Sequence, residues 1–141
     1  MVSMSKFFIA IDPGREKTGV ALLSGEGFSN WHSIVASDDL IIAIQDLLKR
    51  YTIDFLVMGS GTSSKQKQNL LQQAFPQLNL YIVNEYKTTE EARRLYFKKN
   101  PPRGLKRLIP IGMQVPPCPI DDYAAIIIGR KYLAQQKNDK A

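Results

Sequence analysis

The chain has 141 residues, 44% of them hydrophobic and 23% charged, with 19 Lys and Arg against 13 Asp and Glu for a net charge of +6. One domain spanning 1–141 is expected, since two would each fall near the lower limit for a self-sufficient core. The single cysteine, Cys118, excludes an intrachain disulfide framework, and no apolar run approaches the roughly 18 residues of a membrane span. The run Phe7 to Ile11 stops at Asp12 without a cleavage-site pattern, so no signal peptide is read and the cytoplasm is the expected compartment.

In chain order, residues 6–12 form a continuous apolar run closed by an acid and by Pro13-Gly14, the pattern of a central strand buried on both faces. Residues 18–24 and 28–35 read as two further strands with Gly25-Glu26-Gly27 between them, which predicts an antiparallel three-stranded meander. The period then becomes helical: Ser37 stands at a cap position, Asp38 and Asp39 suit the first turn, and Leu40, Ile41, Ile44, Leu47 and Leu48 line one face. A buried strand at 53–58, the loop Gly59-Ser60-Gly61-Thr62-Ser63, a polar helix at 64–74 and a strand at 79–84 follow. Thr88 and Glu91 have capping-box spacing, opening a helix to about Lys99. Residues 100–119 hold six of the eight prolines and predict an irregular arm, after which a last helix runs from Ile120 to about Gln135. Right-handed crossovers then give a mixed five-stranded α/β sheet, three strands antiparallel and two added by parallel crossovers, with helices on both faces. Ligands of such sheets gather at the carboxyl ends of the parallel strands, where Asp12, Gly59 and Glu85 fall.

The whole charge excess sits in one segment: residues 87–107 carry Lys87, Arg93, Arg94, Lys98, Lys99, Arg103, Lys106 and Arg107 against Glu90 and Glu91, and the rest of the chain balances. A localised basic patch is the footprint of a polyanionic partner, although a solvated helix face has the same composition. Set against it are acids at element ends: Asp12, Glu85 and the pair Asp121-Asp122. Each alone is an ordinary turn or first-turn acid. Brought together they are like charges that a cation must neutralise, and hard divalent ions with oxygen ligands do this. Two such ions roughly 3.5–4 Å apart serve phosphodiester cleavage, with a basic patch to hold the nucleic-acid backbone.

Several stretches together resemble one family. Ile11-Asp12-Pro13-Gly14 with Gly19-Val20-Ala21 is similar to the first-strand motif of RNase H-like nucleases, the YqgF family and the RuvC-type Holliday junction resolvases in particular. Val57-Met58-Gly59 resembles the YqgF fourth-strand end, Asn84-Glu85-Tyr86-Lys87-Thr88-Thr89 and Ala92 its Asp-Glu-Arg-x-Thr-Thr-x-x-Ala motif, and Asp121 with Ala124-Ala125 its last-helix motif. The ordered set covers nearly the whole chain. It implies an RNase H-like fold, Asp12, Glu85 and Asp121 as catalytic acids and metal ligands with Asp122 beside them, and Mg²⁺ or Mn²⁺ in a two-metal site. It implies an endonuclease of structured RNA or branched DNA, either trimming precursor 16S ribosomal RNA on ribosomal precursor particles or resolving junctions, as a monomer or weak homodimer with no membrane role. Asn84 and Tyr86 replace the family's flanking acid and arginine, which keeps open a non-catalytic nucleic-acid or ribosome-binding module of the same fold. A RuvC-type second acid at the fourth-strand end is absent, since Met58-Gly59-Ser60 stands there, which favours YqgF.

Arg15 and Lys17 stand beside Asp12 as candidate phosphate contacts and join the basic segment as candidate nucleic-acid binders. The loop at 59–63 offers a phosphate cradle without the Gly-Lys-Ser/Thr ending of a P-loop. His32, the only histidine, reads as structural or exposed rather than as a metal ligand, Cys118 as no nucleophile, and one at most of Tyr86, Tyr96 and Phe97 as a base-stacking residue. An actin-like ATPase would need a second domain for which the chain has no room.

Overall fold

The computed structural model describes residues 6–61, 64–110 and 113–140. Its strands are β1 (Phe7–Asp12), β2 (Lys17–Ser24), β3 (Ser29–Ala36), β4 (Ile53–Gly59) and β5 (Asn79–Val83), and its helices α1 (Leu40–Arg50), α2 (Ser64–Ala74), α3 (Thr88–Lys99) and α4 (Asp121–Lys140). The five strands form one sheet in the order β3-β2-β1-β4-β5. β1 pairs antiparallel with β2 and β2 with β3, while β1–β4 and β4–β5 are parallel. This is the mixed α/β sheet that the periodicity predicts.

β1 is central because both its faces are apolar: Phe8 and Ala10 face one core, Ile9 and Ile11 the other. The first core is closed by α3 and α4 through Ala92, Leu95, Ala125, Ile126 and Ile128. The second is closed by α1 and α2 through Leu40, Ile44, Leu47 and Leu71. Each such fully buried Leu or Ile contributes about 1.5–3 kcal/mol. α4 lies close on the sheet because Gly129 presents no side chain there; a Cβ would stand 3.0–3.1 Å from Leu23, Ala10 and Phe8.

Three local expectations are corrected. Ser37 is no helix cap: residues 37–39 form a 3-10 turn, and the Ser37 hydroxyl donates to the Gly14 carbonyl (2.8 Å) while bonded to Thr18 Oγ1 (2.8 Å). A tertiary partner thus outcompetes the local one, and it ties down the turn that follows Asp12. Thr88 does not form a capping box either, because Lys87 occupies the N-cap without a side-chain bond and Thr88 is buried, its hydroxyl taken by Lys131 Nζ (3.1 Å). α4 runs beyond the expected Gln135 to Lys140. The arm at 100–119 contains one 3-10 turn, Gly104–Leu108, and positions 111–112 lie outside the described residues. No helix among the described residues is long and apolar enough to cross a membrane.

Candidate acidic site

Two glycines decide how the acids meet. Asp12 ends β1 and pairs across the sheet with Gly19 of β2. A Cβ on Gly19 would overlap the backbone carbonyl of Asp121, so the missing side chain is what lets the start of α4 settle against the residue opposite Asp12. Gly59 ends β4, and a Cβ there would overlap Glu85 Oε1 and stand 2.7 Å from Glu85 Cγ. Glu85, two residues past β5, therefore lies across the end of β4 and reaches towards β1. A strand end, a post-strand turn and a helix start deliver three carboxyls to one end of the sheet.

The electrostatics register that approach. The Asp12 carboxyl is pushed up to about 8, first by burial, then by the charges of Glu85 and Asp121, and then by a hydrogen bond with Glu85. Glu85 Oε1 is buried and finds no N–H or O–H donor. The nearby negative charges favour the protonated form of Asp12. Asp121 is raised as well, by burial and by Asp122, while the Lys17 ammonium pulls it the other way. Lys17 is thus a basic partner at the cluster. Among the described residues no three Asp, Glu, His or Cys side chains stand in metal-ligand geometry, and what links these acids is the field that Glu85 and Asp121 exert on Asp12.

Asp122 turns elsewhere. Its Oδ2 lies 2.7 Å from His32 Nδ1, and its Oδ1 accepts the Tyr123 N–H (3.0 Å). His32 sits on β3 opposite Ala21, with Tyr123 tilted against its ring (5.0 Å). The pairing spans 90 residues of sequence, which explains why His32 read as structural or exposed with no visible partner. His32→Ala should cost about 1–3 kcal/mol, since it strands a carboxylate whose side chain is 14% exposed. Urea unfolding measures this, and Asp122→Asn in the same background should recover part of the loss.

Lys131 of α4 was not singled out by the sequence. Its Nζ bonds the Tyr86 carbonyl and Thr88 Oγ1, and it lies 4.0 Å from Glu91. It clamps the turn that carries Glu85. In that turn Asn84 Oδ1 accepts the Tyr86 N–H (2.9 Å), and Lys87 adopts a left-handed φ of 61°, rare for a residue with a side chain. Tyr86 points outward, 72% exposed with the Lys87 ammonium over its ring, whereas Phe97 is buried and Tyr96 half-buried, leaving Tyr86 the most accessible of the three.

The basic residues divide. Arg15 and Lys17 are exposed on the turn next to Asp12, and Lys87 beside Glu85. Arg94, Lys98 and Lys99 are exposed on α3, Arg93 is half-buried there, and Arg103, Lys106 and Arg107 are exposed on the arm. Gly59, Ser60 and Gly61 of the proposed phosphate cradle are described; Thr62 and Ser63 lie outside the described residues.

Comparison with solved structures identifies the scaffold. T. thermophilus RuvC, solved in complex with a Holliday junction substrate, matches 95% of this chain and 97% of its own, with a TM-score of 0.55 and 10% sequence identity. The fold is RuvC-like. Partial matches include a ROK family transcriptional regulator homologous to the E. coli MLC protein (TM-score 0.47, 13% identity, 65% of this chain). A putative sugar kinase from Cytophaga hutchinsonii is another (TM-score 0.46, 16% identity, 62% of this chain). The matched part amounts to 31% and 38% of those two longer chains. No protein-family model matches the sequence, and no curated protein matches it. In this RuvC-like sheet the carboxyl ends of β1 and β4 are where the acids gather.

Proposed function

We propose that this protein is a metal-dependent endonuclease of structured nucleic acid, of the YqgF kind, with Asp12, Glu85 and Asp121 as its catalytic acids. The observation that carries the reading is the Asp12–Glu85 pair: two half-buried carboxyls close enough to repel, with one buried oxygen, Glu85 Oε1, that finds no hydrogen-bond donor. A hard divalent ion answers that deficit better than any side chain within reach, so the donor set fits Mg²⁺ or Mn²⁺. Bound there, such ions supply a water of lowered pKa and positive charge at the leaving oxygen.

The chain's own groups do the rest. Asp12 and Glu85 would hold the ion, and Glu85, leaning over Gly59, keeps its carboxyl in place because Lys131 holds the turn beneath it. Asp121 is fixed by its backbone seat on Gly19. Lys17 and Arg15 are exposed beside Asp12, where they can orient a phosphate, and the α3 and arm cations can track the backbone beyond it. The free, exposed thiol of Cys118 suits a reducing cytoplasm. Precursor ribosomal RNA and four-way DNA junctions are the two substrate classes, the second favoured by the ligand of T. thermophilus RuvC.

A second reading, a nucleic-acid or ribosome-binding module without catalysis, draws on the lack of ready ligand geometry among the described acids and on Asn84, spent on its own turn. One experiment separates them. The protein is incubated with a labelled four-way junction and a structured precursor rRNA fragment, in Mn²⁺ and in EDTA, beside Glu85→Gln. Cleavage in Mn²⁺ alone, reduced at least about 100-fold by the substitution, is expected. Tight, salt-sensitive binding with no product in either condition would make the module reading correct.

A further inference from the structure

From Ala92 to Ile120 the chain has no acidic residue, and inside that stretch the arm exposes large apolar side chains. Leu105 and Leu108 are 84% and 83% exposed, Val115 83% and Met113 76%. Apolar side chains displayed in this number mark a contact surface.

The turn that carries the two leucines is held firmly from inside. Gln114 is buried, and its Nε2 donates to the carbonyls of Lys106 (2.8 Å) and Ile109 (2.9 Å). Gly104, at φ +65°, makes the bend, and Arg107 Nε donates back to its carbonyl (3.3 Å). In a 3-10 turn residues three apart eclipse one another, so Leu105 and Leu108 share one side, and Lys106 and Arg107 occupy the others. Between this turn and α3 runs a groove of about 550 Å³ lined by Tyr96, Phe97, Leu105, Val115 and Pro117 with Arg103 at its side. Asn100 Nδ2 donates to Tyr123 Oη (3.4 Å), which ties the groove to the first turn of α4 and thus to the acidic end of the sheet.

We propose that the arm docks an unpaired stretch of nucleic acid, with Leu105 and Leu108 wedged against exposed bases and Arg103, Lys106 and Arg107 on the flanking phosphates. The inference rests on the substrate class proposed above and adds to it a preference for unstacked over continuous duplex. An acid-free, cationic surface suits a polyanion and repels a second copy of a chain whose charge excess lies in this same segment. The half-buried Tyr96 ring in the groove offers a base one flat partner, which a lipid surface has no use for, and apolar side chains inserted between base steps are an established way of gripping distorted nucleic acid.

The test uses the full chain in EDTA, so that binding is read without cleavage, with a fluorescent duplex and the same duplex carrying a central unpaired bubble. Leu105→Ser with Leu108→Ser should lose about tenfold in affinity for the bubble and little for the duplex, with an unchanged salt dependence. Arg103→Gln, Lys106→Gln and Arg107→Gln together should lower the slope of log K against log salt by about 2. Equal binding of wild type and the leucine variant to the bubble would overturn the proposal. So would anionic phosphatidylserine vesicles outcompeting the bubble, or a wild-type dimer in sedimentation that the leucine substitutions dissolve. Arm-dependent binding without cleavage in Mn²⁺ would uphold this inference and sink the nuclease reading; cleavage that ignores the leucines would do the reverse.

Discussion

Asp12→Asn should abolish cleavage and at the same time make the metal-free protein more stable at pH 8 than the wild type. The two effects have one cause. The Asp12 carboxyl is raised from 3.8 to about 8, so between those values the folded chain holds a proton that the unfolded chain has released. Stability therefore falls as pH rises through the window from about 4 to 8 and levels off above it. A shift of that size corresponds to an upper bound of about 6 kcal/mol, from which relaxation of the site subtracts. The amide carries no charge beside Glu85 and Asp121, so the variant's advantage should be absent near pH 4 and greatest above pH 8. Thermal unfolding in EDTA across that range measures it. Adding Mn²⁺ should reverse the order by stabilising the wild type and leaving the variant nearly unmoved, because a ligand of the folded state stabilises in proportion to its occupancy. A variant no more stable than wild type at pH 8, or one that still cuts nucleic acid, would show that Asp12 does not sit in the field described.

Gly19→Ala should be among the most damaging methyl additions in the chain. The new Cβ meets the Asp121 carbonyl and stands 2.9 Å from the Asp122 nitrogen, and both are backbone atoms of a helix that cannot step aside alone. Either α4 lifts off β2, opening the core it closes, or the strand buckles; a loss of at least about 3 kcal/mol in urea unfolding is expected. Gly59→Ala offers the contrast, because its obstacles are the Glu85 side chain, Cγ as well as Oε1, and the Ile128 methyl, none of them backbone. Stability should fall by only about 1 kcal/mol, while Mn²⁺ affinity, measured by calorimetry, should drop at least tenfold as Glu85 is pushed off β4. If the two substitutions cost the same stability, the backbone seat of Asp121 is not what Gly19 provides.

Most elements were legible because their signals are local. The unbroken apolar run of β1 announced a strand buried on both faces, and the change from alternation to helical spacing after Ala36 marked α1. Prolines at 101, 102, 110, 116, 117 and 119 all fall between the end of α3 and the start of α4. What the sequence could not reveal was the choice of partner. Ser37 and Thr88 carry cap chemistry, yet each hydroxyl is used across the fold, on Gly14 and by Lys131. Asp121 and Asp122 are chemically identical neighbours, and the folded chain separates their environments, Asp122 turned to His32 on β3 and Asp121 in the field of Lys17. Lys131 looked like any solvated lysine of a long helix. The leucines of the arm carried no sign of exposure, since an irregular segment has no periodicity from which to read a face.

The order in which a ribosome makes this chain gives α4 a particular place. Strands β1, β2, β4 and β5 and helices α1 to α3 all emerge before Ile120, yet Phe8, Ala10, Ala21, Leu23 and Val57 find their cover chiefly under Ala125, Ile126 and Ile128. Until translation passes α4 the nascent sheet has one greasy side open, and Asp12 and Glu85 lack the third acid. A message cut short upstream would therefore yield a sticky, inert product, and if the acids cut nucleic acid, the polypeptide stays harmless to the RNA around it while it is still being made.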